Sequence, residues 1–238
     1  MTSNPPWASF WSGEEQRRPR RRSLSREAIV EAALTVIDTE GMDALNMRRV
    51  AQELGTGAAS LYAHVSNKDE LIALVMERVA AALPRPEPEP GRWREQLTEF
   101  LIASRDNLAA HGDLARAALT ANIPTTPAML DSAETVLRLL RAGGFDDQVI
   151  AYAVDLLALY VVATAYEQGL RTSPWRQEQG DAEAYIAGIR SFFSSLPPDR
   201  YPLVVALAPQ LTRAEGDERF QFGLDVILDG LAAQQGRW

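Results

Sequence analysis

The sequence predicts an all-α protein in which three short helices and a connecting fourth helix precede a larger helical region. Almost every segment repeats apolar residues at the helical period, and no stretch alternates apolar and polar residues like a half-buried strand. Glycine and proline interrupt this periodicity where successive helices would end. The 238 residues, of which 46% are hydrophobic, are enough to bury a substantial core.

The first helix is predicted from the signals at its two ends. Ser25 is placed to cap its amino terminus, and Leu24 and Ile29 are spaced as a hydrophobic staple. Gly41 then ends the helix, because glycine readily takes the backbone conformation that follows a helix. The apolar stripe of this helix consists of Ile29, Ala33, Val36 and Ile37.

The second and third helices are predicted to be short and to follow each other closely. Asn46 is placed to cap the second helix, and Gly55 is placed to end it. The third helix is predicted over residues 56–65, with Leu61 and Val65, four positions apart, facing inward. The inward positions of the second helix are Val50, Ala51 and Leu54.

A fourth helix is predicted to begin at Ser66, which forms a capping-box pattern with Asp69 three residues later. Its apolar face consists of Leu71, Leu74, Val75 and Val79. The sequence PRPEPEP at residues 84–90 favours an extended connection, and we place a domain boundary there. Beyond it, with breaks that include Pro209, helices are predicted near residues 92–111, 114–122, 127–142, 146–169, 181–195, 200–208 and 216–234.

The charge of the chain is distributed unevenly. The net charge is -8, but residues 17–68 hold nine basic and six acidic residues, a net charge of +3. Residues 84–238 hold fourteen basic and twenty-one acidic residues, a net charge of -7. The positive excess therefore accompanies the short helices, where it favours a polyanionic partner.

Three helices within about 40 residues, with a tight turn between the second and third, match the helix-turn-helix plan, in which the later helix enters the major groove of DNA. Four polar side chains point away from the inward pair of the third helix, namely Ser60, Tyr62, His64 and Lys68. Small and polar groups at these positions allow a close approach to nucleic acid.

The stretch ALNMRRVAQELGTGAASLYAHVSNKDEL, residues 44–71, resembles the DNA-binding domain of the tetracycline-repressor (TetR) family of bacterial transcription regulators. The resemblance covers residues 24–83 closely, and residues 91–238 fit the family's effector-binding and dimerisation domain more loosely. It implies a DNA-binding repressor that a small-molecule effector releases from double-stranded operator DNA. It also implies DNA contacts at Arg48, Ala58, Ala59, Ser60, Tyr62, His64 and Lys68.

The chemistry of these residues agrees with that implication. Arg48 is placed to reach a guanine edge or a phosphate. Ala58 and Ala59 depart from the family, which usually offers a long polar side chain here, so we expect methyl contacts to thymine beside a hydroxyl contact from Ser60. Phosphate contacts are expected from Tyr62, His64 and Lys68. The alternative for all these polar groups is that they are merely solvated or complete a small core.

Residues 1–23 are predicted to form a disordered basic arm. The run RRPRRR at residues 17–22 lies just before the first helix, where a flexible arm can follow the minor groove or the phosphate backbone. We expect Arg20, Arg21 and Arg22 to contact DNA. The alternative is a tail that is kept soluble by its charge.

A single helix-turn-helix makes few contacts, and such modules commonly bind DNA as two-fold dimers. The helices near 146–169 and 216–234 have more apolar residues than one core face requires. By resemblance to the family, these helices form a four-helix bundle with their symmetry mates in a homodimer; the alternative is core packing within one subunit. The apolar positions of the last helix are Phe220, Leu224, Val226, Ile227 and Leu231.

A small-molecule pocket is mostly apolar with a few orienting polar groups, so polar or aromatic residues within apolar helices are candidate ligand contacts. These candidates are Phe100, Ser104, Asn122, Tyr152 and Asp155. Each also has a structural alternative; Asp155, for example, would be a suitable ion-pair partner for Arg105 or Arg116. By resemblance, ligand binding would shift the fourth helix and change the spacing of the two recognition helices.

The sequence argues against catalytic and metal sites. It has no cysteine, and its two histidines, His64 and His111, do not form a metal-ligand spacing. It has neither a nucleophile elbow nor a glycine-rich phosphate loop, so we expect no enzyme activity and no cofactor. The competing hypothesis is a ligand-binding or protein-binding module of the same fold without sequence-specific DNA reading.

The sequence also predicts a cytoplasmic protein without a membrane span. The amino terminus lacks the apolar core of a signal peptide. Asp155 interrupts the longest apolar stretch, residues 149–165, which predicts a buried helix.

Overall fold

The computed structural model describes residues 24–111, 114–120, 123–172, 182–213 and 216–234. Within these ranges the regular structure is helical and contains no strand, which confirms the predicted all-α fold. The basic arm predicted at residues 1–23 and the candidate ligand contact Asn122 lie outside the described residues. The described helices are α1 (Arg26–Glu40), α2 (Met47–Glu53), α3 (Ala58–Leu61), α4 (Lys68–Ala80), α5 (Trp93–Ala109), α6 (Leu114–Thr120), α7 (Pro127–Ala142), α8 (Asp147–Thr172), α9 (Ala182–Ser194), α10 (Pro202–Ala206), α11 (Ala208–Leu211) and α12 (Gly216–Ala232).

The first two helices begin and end at the predicted signals. The Ser25 hydroxyl accepts a hydrogen bond from the main-chain N–H of Ala28 at 3.2 Å. The Asn46 side chain likewise accepts one from the N–H of Arg49 at 2.9 Å. Gly41 has a positive φ of 84°, which other residues rarely adopt, and this conformation ends α1.

Three local predictions are wrong. Helix α3 has only four residues, because the chain turns at residues 62–64 before the core residue Val65. The cap of α4 is Asn67 rather than Ser66, because the Asn67 side chain accepts the N–H of Glu70 at 2.8 Å. Pro209 does not interrupt a helix. It lies in the first turn of α11, where no intrahelical N–H is required.

The hydrophobic core has two parts. The amino-terminal core joins α1 to α4 and includes the fully buried Ile29, Val50, Leu61 and Leu71. It continues into the larger region through Leu108, Ala109, Leu114, Ala115 and Ala165. The helix-turn-helix therefore packs against α5, α6 and α8. The domain boundary at residues 84–90 stays a prediction.

The carboxyl-terminal core lies between α5, α7, α8 and α12. Its fully buried members include Leu97, Leu139, Leu140, Leu157 and Leu224. The aromatic rings of Tyr160 and Phe220 stack with their centroids 5.2 Å apart, which joins α8 to α12. These contacts support the walls of the cavity described below.

Helix α8 is apolar along most of its length. Over Asp147–Arg171 it is the one helix in the described ranges that is long and apolar enough to cross a membrane, a property that core helices of soluble proteins share. It packs against α5, α6, α7 and α12, and 33% of the apolar window is buried. Its remaining apolar surface is therefore available to a partner.

Candidate nucleic-acid interface and effector cavity

The short third helix is anchored on its inner side and open on its outer side. Leu61 is fully buried and Val65 nearly so. Between and beyond them, the side chain of Tyr62 is 55% exposed, and Lys68 is exposed at the first position of α4. This is the predicted division between an anchored inner face and a polar outer face.

The small residues that begin α3 are not equivalent. Ala58 is partly buried and packs against the amino-terminal core, whereas Ala59 and Ser60 are exposed. A methyl contact to a base is therefore better assigned to Ala59 than to Ala58. His64 is partly buried, so its side chain is less open to a partner than that of Tyr62.

A group of polar contacts, which we call the Glu70 latch, fixes the turn between α3 and α4. The buried Glu70 carboxylate accepts the N–H of Ser66 at 2.7 Å, and Asn67 caps the helix as described. Arg26 of α1 lies 3.5 Å from Glu70 and donates two hydrogen bonds of 3.2 Å to the carbonyl oxygen of His64. The latch therefore sets the orientation of the segment that carries Tyr62, His64 and Lys68.

The latch was not predicted, although the sequence contains its signal. Asn67 and Glu70 are three residues apart, which is the capping-box spacing with asparagine as the cap. Ser66 and Asp69, from which the start of α4 was predicted, have the same spacing one residue earlier in the chain. Arg26 could not be found from spacing, because it meets Glu70 only through tertiary packing.

Two adjacent arginines of α2 have different environments. Arg49 pairs with Glu40 at 2.6 Å and with Glu53 at 2.8 Å, and the hydrogen bonds to Glu40 and then Glu53 raise the pKa of Arg49. Arg48 is exposed and has no ion-pair partner among the described residues. Arg48 is therefore the cation of this pair that remains available to an external anion.

An ion pair and a histidine–carboxylate contact connect α6 and the residue His111 before it to the helix-turn-helix. Arg116 of α6 lies 2.5 Å from Asp43, and its hydrogen bond and charge hold the pKa of Asp43 below the usual value. His111, just before α6, lies 3.2 Å from Asp38 of α1. Asp43 lies in the loop between α1 and α2, five residues before Arg48.

A cavity of about 370 Å³ lies among α4, α5, α6, α7 and α8. Its walls are mostly apolar, and its volume is within the range of small-molecule pockets. Helix α4 contributes Met76, Val79 and Ala80. The helix that leaves the recognition turn therefore also forms a wall of the cavity.

Three predicted ligand contacts line this cavity: Phe100 and Ser104 of α5 and Asp155 of α8. Their role in ligand binding stays a prediction. Tyr152 does not line this cavity, since its side chain is 60% exposed, and its role in ligand binding also stays a prediction. The alternative, in which Asp155 forms an ion pair with Arg105 or Arg116, is wrong. Arg105 pairs with Asp106 and Asp217, and Arg116 pairs with Asp43.

Two further polar side chains line the cavity and were missed. Asn107 lies three residues after Ser104 and seven after Phe100, on the same face of α5. Ser132 lies on the face of α7 that also carries Met129 and Val136. Helical spacing from Phe100 would have identified Asn107, whereas nothing in the sequence indicated which face of α7 meets α5.

The predicted dimer surface is only partly available. Phe220, Leu224 and Leu231 of α12 are buried within the subunit, because α12 packs against α8 through this face. Other apolar residues of the same two helices are exposed instead. They are Tyr152, Leu156 and Leu159 of α8 and Phe222 and Val226 of α12.

No group of three or more histidine, aspartate or glutamate side chains is arranged to hold a metal ion in the described part of the chain.

Two family models match the chain. The model for bacterial regulatory proteins of the tetR family matches residues 29–75. The model for the tetracyclin repressor-like C-terminal domain matches residues 85–235. Together they cover both the helix-turn-helix and the region that holds the cavity.

Individual relatives agree with these matches. The HTH-type transcriptional repressor DrrR1 of Streptomyces coeruleorubidus is 34% identical over 229 residues, which cover 92% of this chain and 82% of that protein. The tetracycline repressor protein class E of Escherichia coli is 27% identical over 213 residues, covering 89% of this chain and 92% of the repressor.

A solved structure extends the comparison to three dimensions. The TetR family protein ActR of Streptomyces coelicolor, in complex with actinorhodin, has a TM-score of 0.80 and 43% sequence identity. The match covers 90% of this chain and 98% of ActR. Proteins of this family are transcription regulators rather than enzymes. The chain described here belongs to the TetR family and is a DNA-binding transcriptional repressor.

Proposed function

We propose that the protein binds a two-fold symmetric operator as a homodimer and leaves it when a small molecule occupies the cavity. The observation that carries this proposal is the position of α4. This one helix begins beside the exposed Lys68 and the Glu70 latch, and three turns later it forms a wall of the cavity. A change in the cavity can therefore alter the recognition surface.

The recognition surface supports DNA contacts of two kinds. Arg48 and Ser60 are proposed to reach base edges, with a methyl contact from Ala59. Tyr62, His64 and Lys68 are proposed to bind phosphates. Lys68 is the only lysine in the chain, and it opens a helix of 13 residues whose amino-terminal N–H groups favour an anion.

Arg20, Arg21 and Arg22 are proposed to strengthen binding through the DNA backbone or the minor groove. They precede a region whose charge is positive in an otherwise acidic protein. Such contacts are sequence-independent and salt-dependent. Deletion of residues 1–22 should therefore lower affinity and reduce its salt dependence.

We propose that the exposed apolar residues of α8 and α12 form the dimer interface. Contiguous apolar surface of this kind is uncommon on monomers and marks interaction sites. The neighbouring position of α8 and α12 matches the pairing implied by the family resemblance. Measuring the mass of the full-length protein in dilute solution tests this point, and a monomer at operator-binding concentrations would contradict it.

Two contacts are proposed to carry the signal from the cavity. The Glu77 carboxylate of α4 accepts the N–H of Ala128 at 2.8 Å and so joins α4 to the amino terminus of α7. Helix α6 lines the cavity through Ala118 and Leu119 and carries the Arg116 pair to Asp43. A ligand that displaces α6 or α7 would therefore move α4 or the loop before Arg48.

The test of DNA reading is selection of bound sequences from random double-stranded DNA at fixed, moderate salt. We expect a defined sequence with two related half-sites. Unselective binding would instead support the competing module without sequence-specific reading. The selected DNA then serves to screen compounds for release. The proposed action requires binding alone, without a cofactor, and takes place in the cytoplasm.

A further inference from the structure

The cavity wall has an uneven set of charged groups. Among the described residues that line it, Asp155 is the only ionisable side chain, and none is arginine, lysine or histidine. Asp155 is also exposed to solvent, so it lies where the cavity opens. The cavity therefore carries a negative charge at its opening and no described positive charge to balance it.

Two arginines of the helices that form the wall, Arg105 and Arg116, are committed to other partners. Arg105 of α5 is 5% exposed, pairs with Asp106 at 2.6 Å and with Asp217 at 2.8 Å, and lies 4.4 Å from the centre of the Phe220 ring. Arg116 of α6 pairs with Asp43 at 2.5 Å and is not among the described residues that line the cavity. Neither is placed to bind an anion in the cavity.

The neutral polar groups of the wall use most of their donors within the protein. The hydroxyl of Ser104 donates to the carbonyl oxygen of Phe100 at 2.7 Å, and that of Ser132 donates to Ala128 at 2.8 Å. The Asn107 amide nitrogen donates to the carbonyl oxygen of Val79 at 2.9 Å. Their remaining capacity is mostly that of acceptors, namely the hydroxyl oxygens and the Asn107 carbonyl oxygen, beside the second N–H of the Asn107 amide.

We infer that the cavity selects a mostly apolar ligand that is neutral or cationic and donates hydrogen bonds, and that Asp155 rejects anionic compounds. This inference rests on the proposed use of the cavity as the effector site. A carboxylate or sulfonate in the cavity would meet the Asp155 charge and several acceptor atoms, with only the second Asn107 N–H as a donor and no cation among the described lining side chains. An amine or hydroxyl would satisfy the acceptors that the wall presents.

A matched pair of dyes tests the charge selection. N-phenylnaphthylamine is neutral, and anilinonaphthalene sulfonate has the same ring system with a negative sulfonate. Both would be titrated against the full-length protein, with fluorescence as the readout. The variant Ala133→Phe, which places a ring in the cavity, should remove the cavity-bound signal of the neutral dye, because Ala133 lines the wall.

The decisive quantity is the ratio of the two dissociation constants in the wild type and in Asp155→Asn, which keeps the shape of the side chain and removes its charge. We expect this variant to strengthen sulfonate binding by about tenfold and to change neutral-dye binding by less than about threefold. The control is Asp147→Asn, an equal charge change on α8 outside the cavity wall, which should leave the ratio unchanged.

An unchanged ratio in Asp155→Asn, or an equal change in Asp147→Asn, would overturn the role of Asp155. The N-methylated neutral dye has no N–H donor, and binding as tight as that of its parent would overturn the donor requirement. These outcomes are separate from those for the proposed function, because dye selectivity is measured without DNA. Loss of operator selection with retained dye selectivity would reject the proposed function alone.

Discussion

The recognition surface and the cavity are held in place by different interactions. Around the turn before α4, the Glu70 latch fixes the main chain through short hydrogen bonds and an ion pair. Around the cavity, most of the wall is formed by apolar side chains such as Phe100 and Val161, whose contacts have no preferred direction.

This difference indicates separate roles for the two regions. Directional polar contacts keep the recognition surface in one geometry, which favours specific DNA binding without a large ordering cost. Apolar walls around a cavity can repack when a ligand fills its empty volume, because apolar contacts require no particular direction. Helix α4 belongs to both regions. A change in either region is therefore expected to alter the position of α4.

We expect the greatest loss in the free energy of unfolding from a change in the packing that supports the cavity. A Cβ atom on Gly223 of α12 would overlap the hydroxyl group of Tyr160 on α8, which donates to the carbonyl oxygen of Phe220 at 3.0 Å. Gly223→Ala should lower the free energy of unfolding by up to about 3 kcal/mol because of this overpacking. Urea unfolding measures the change.

The matched control is Gly230→Ala in the same helix, where a Cβ atom would meet no described atom within 4 Å. This variant should leave stability unchanged or raise it by up to about 1 kcal/mol, because alanine has the higher helix propensity. Equal destabilisation by both variants would show that the Tyr160 contact is not the cause.

The second expected effect is on the Glu70 latch. Glu70→Ala leaves the Ser66 N–H without its acceptor and removes the partner of Arg26, so we expect a loss of roughly 2 kcal/mol in unfolding free energy. Operator affinity should fall as well, because the recognition turn loses its fixed orientation. Asp69→Ala, one residue earlier and exposed, should cost less than about 1 kcal/mol. The reverse order would contradict the latch.

The third expected effect separates the two neighbouring arginines. Arg48→Ala should weaken binding to the selected operator by about tenfold or more, because a guanine contact contributes about 1 to 3 kcal/mol. Arg49→Ala should weaken it by less than about threefold, since Arg49 is already paired with Glu40 and Glu53. Fluorescence anisotropy with labelled operator measures both. A larger loss for Arg49→Ala would exclude Arg48 as the principal reader.

We expect the exposed ion pair of Asp43 and Arg116 to contribute least to stability. The pKa of Asp43 is lowered in the folded protein, so the pair stabilises the fold above the unfolded pKa of about 3.9. That contribution is lost as the pH falls through the lower folded value. The stability difference between the wild type and Asp43→Asn should therefore be present at neutral pH and disappear in strong acid. A difference that persists in strong acid would exclude the ion pair as its cause.

Local features of the fold were predictable from the sequence, because they depend on neighbours along the chain. The caps at Ser25 and Asn46 and the inward pair Leu61 and Val65 follow from helical spacing alone. The shift of the α4 cap to Asn67 shows the limit of this reasoning, because two capping patterns overlap in the sequence and the burial of Glu70 distinguishes the one that forms. Burial is a tertiary property.

Features of the larger region were harder to predict for a related reason. Helix α8 is apolar on most sides, so its sequence does not indicate that Asp155 faces the cavity while Tyr152 faces outward. The apolar residues of α12 likewise divide between the core and the surface, with Phe220 buried and Phe222 exposed. Only the packing of α8 against its neighbours determines these assignments.

We propose that the cavity and the recognition surface are coupled through α4. The most direct test uses the selected operator and a compound that releases it, and measures the affinity of that compound for free and for operator-bound protein. Thermodynamic reciprocity predicts that operator DNA weakens compound binding by the same factor by which the compound weakens operator binding. Equal affinity of the compound for the free and the DNA-bound protein would contradict the coupling.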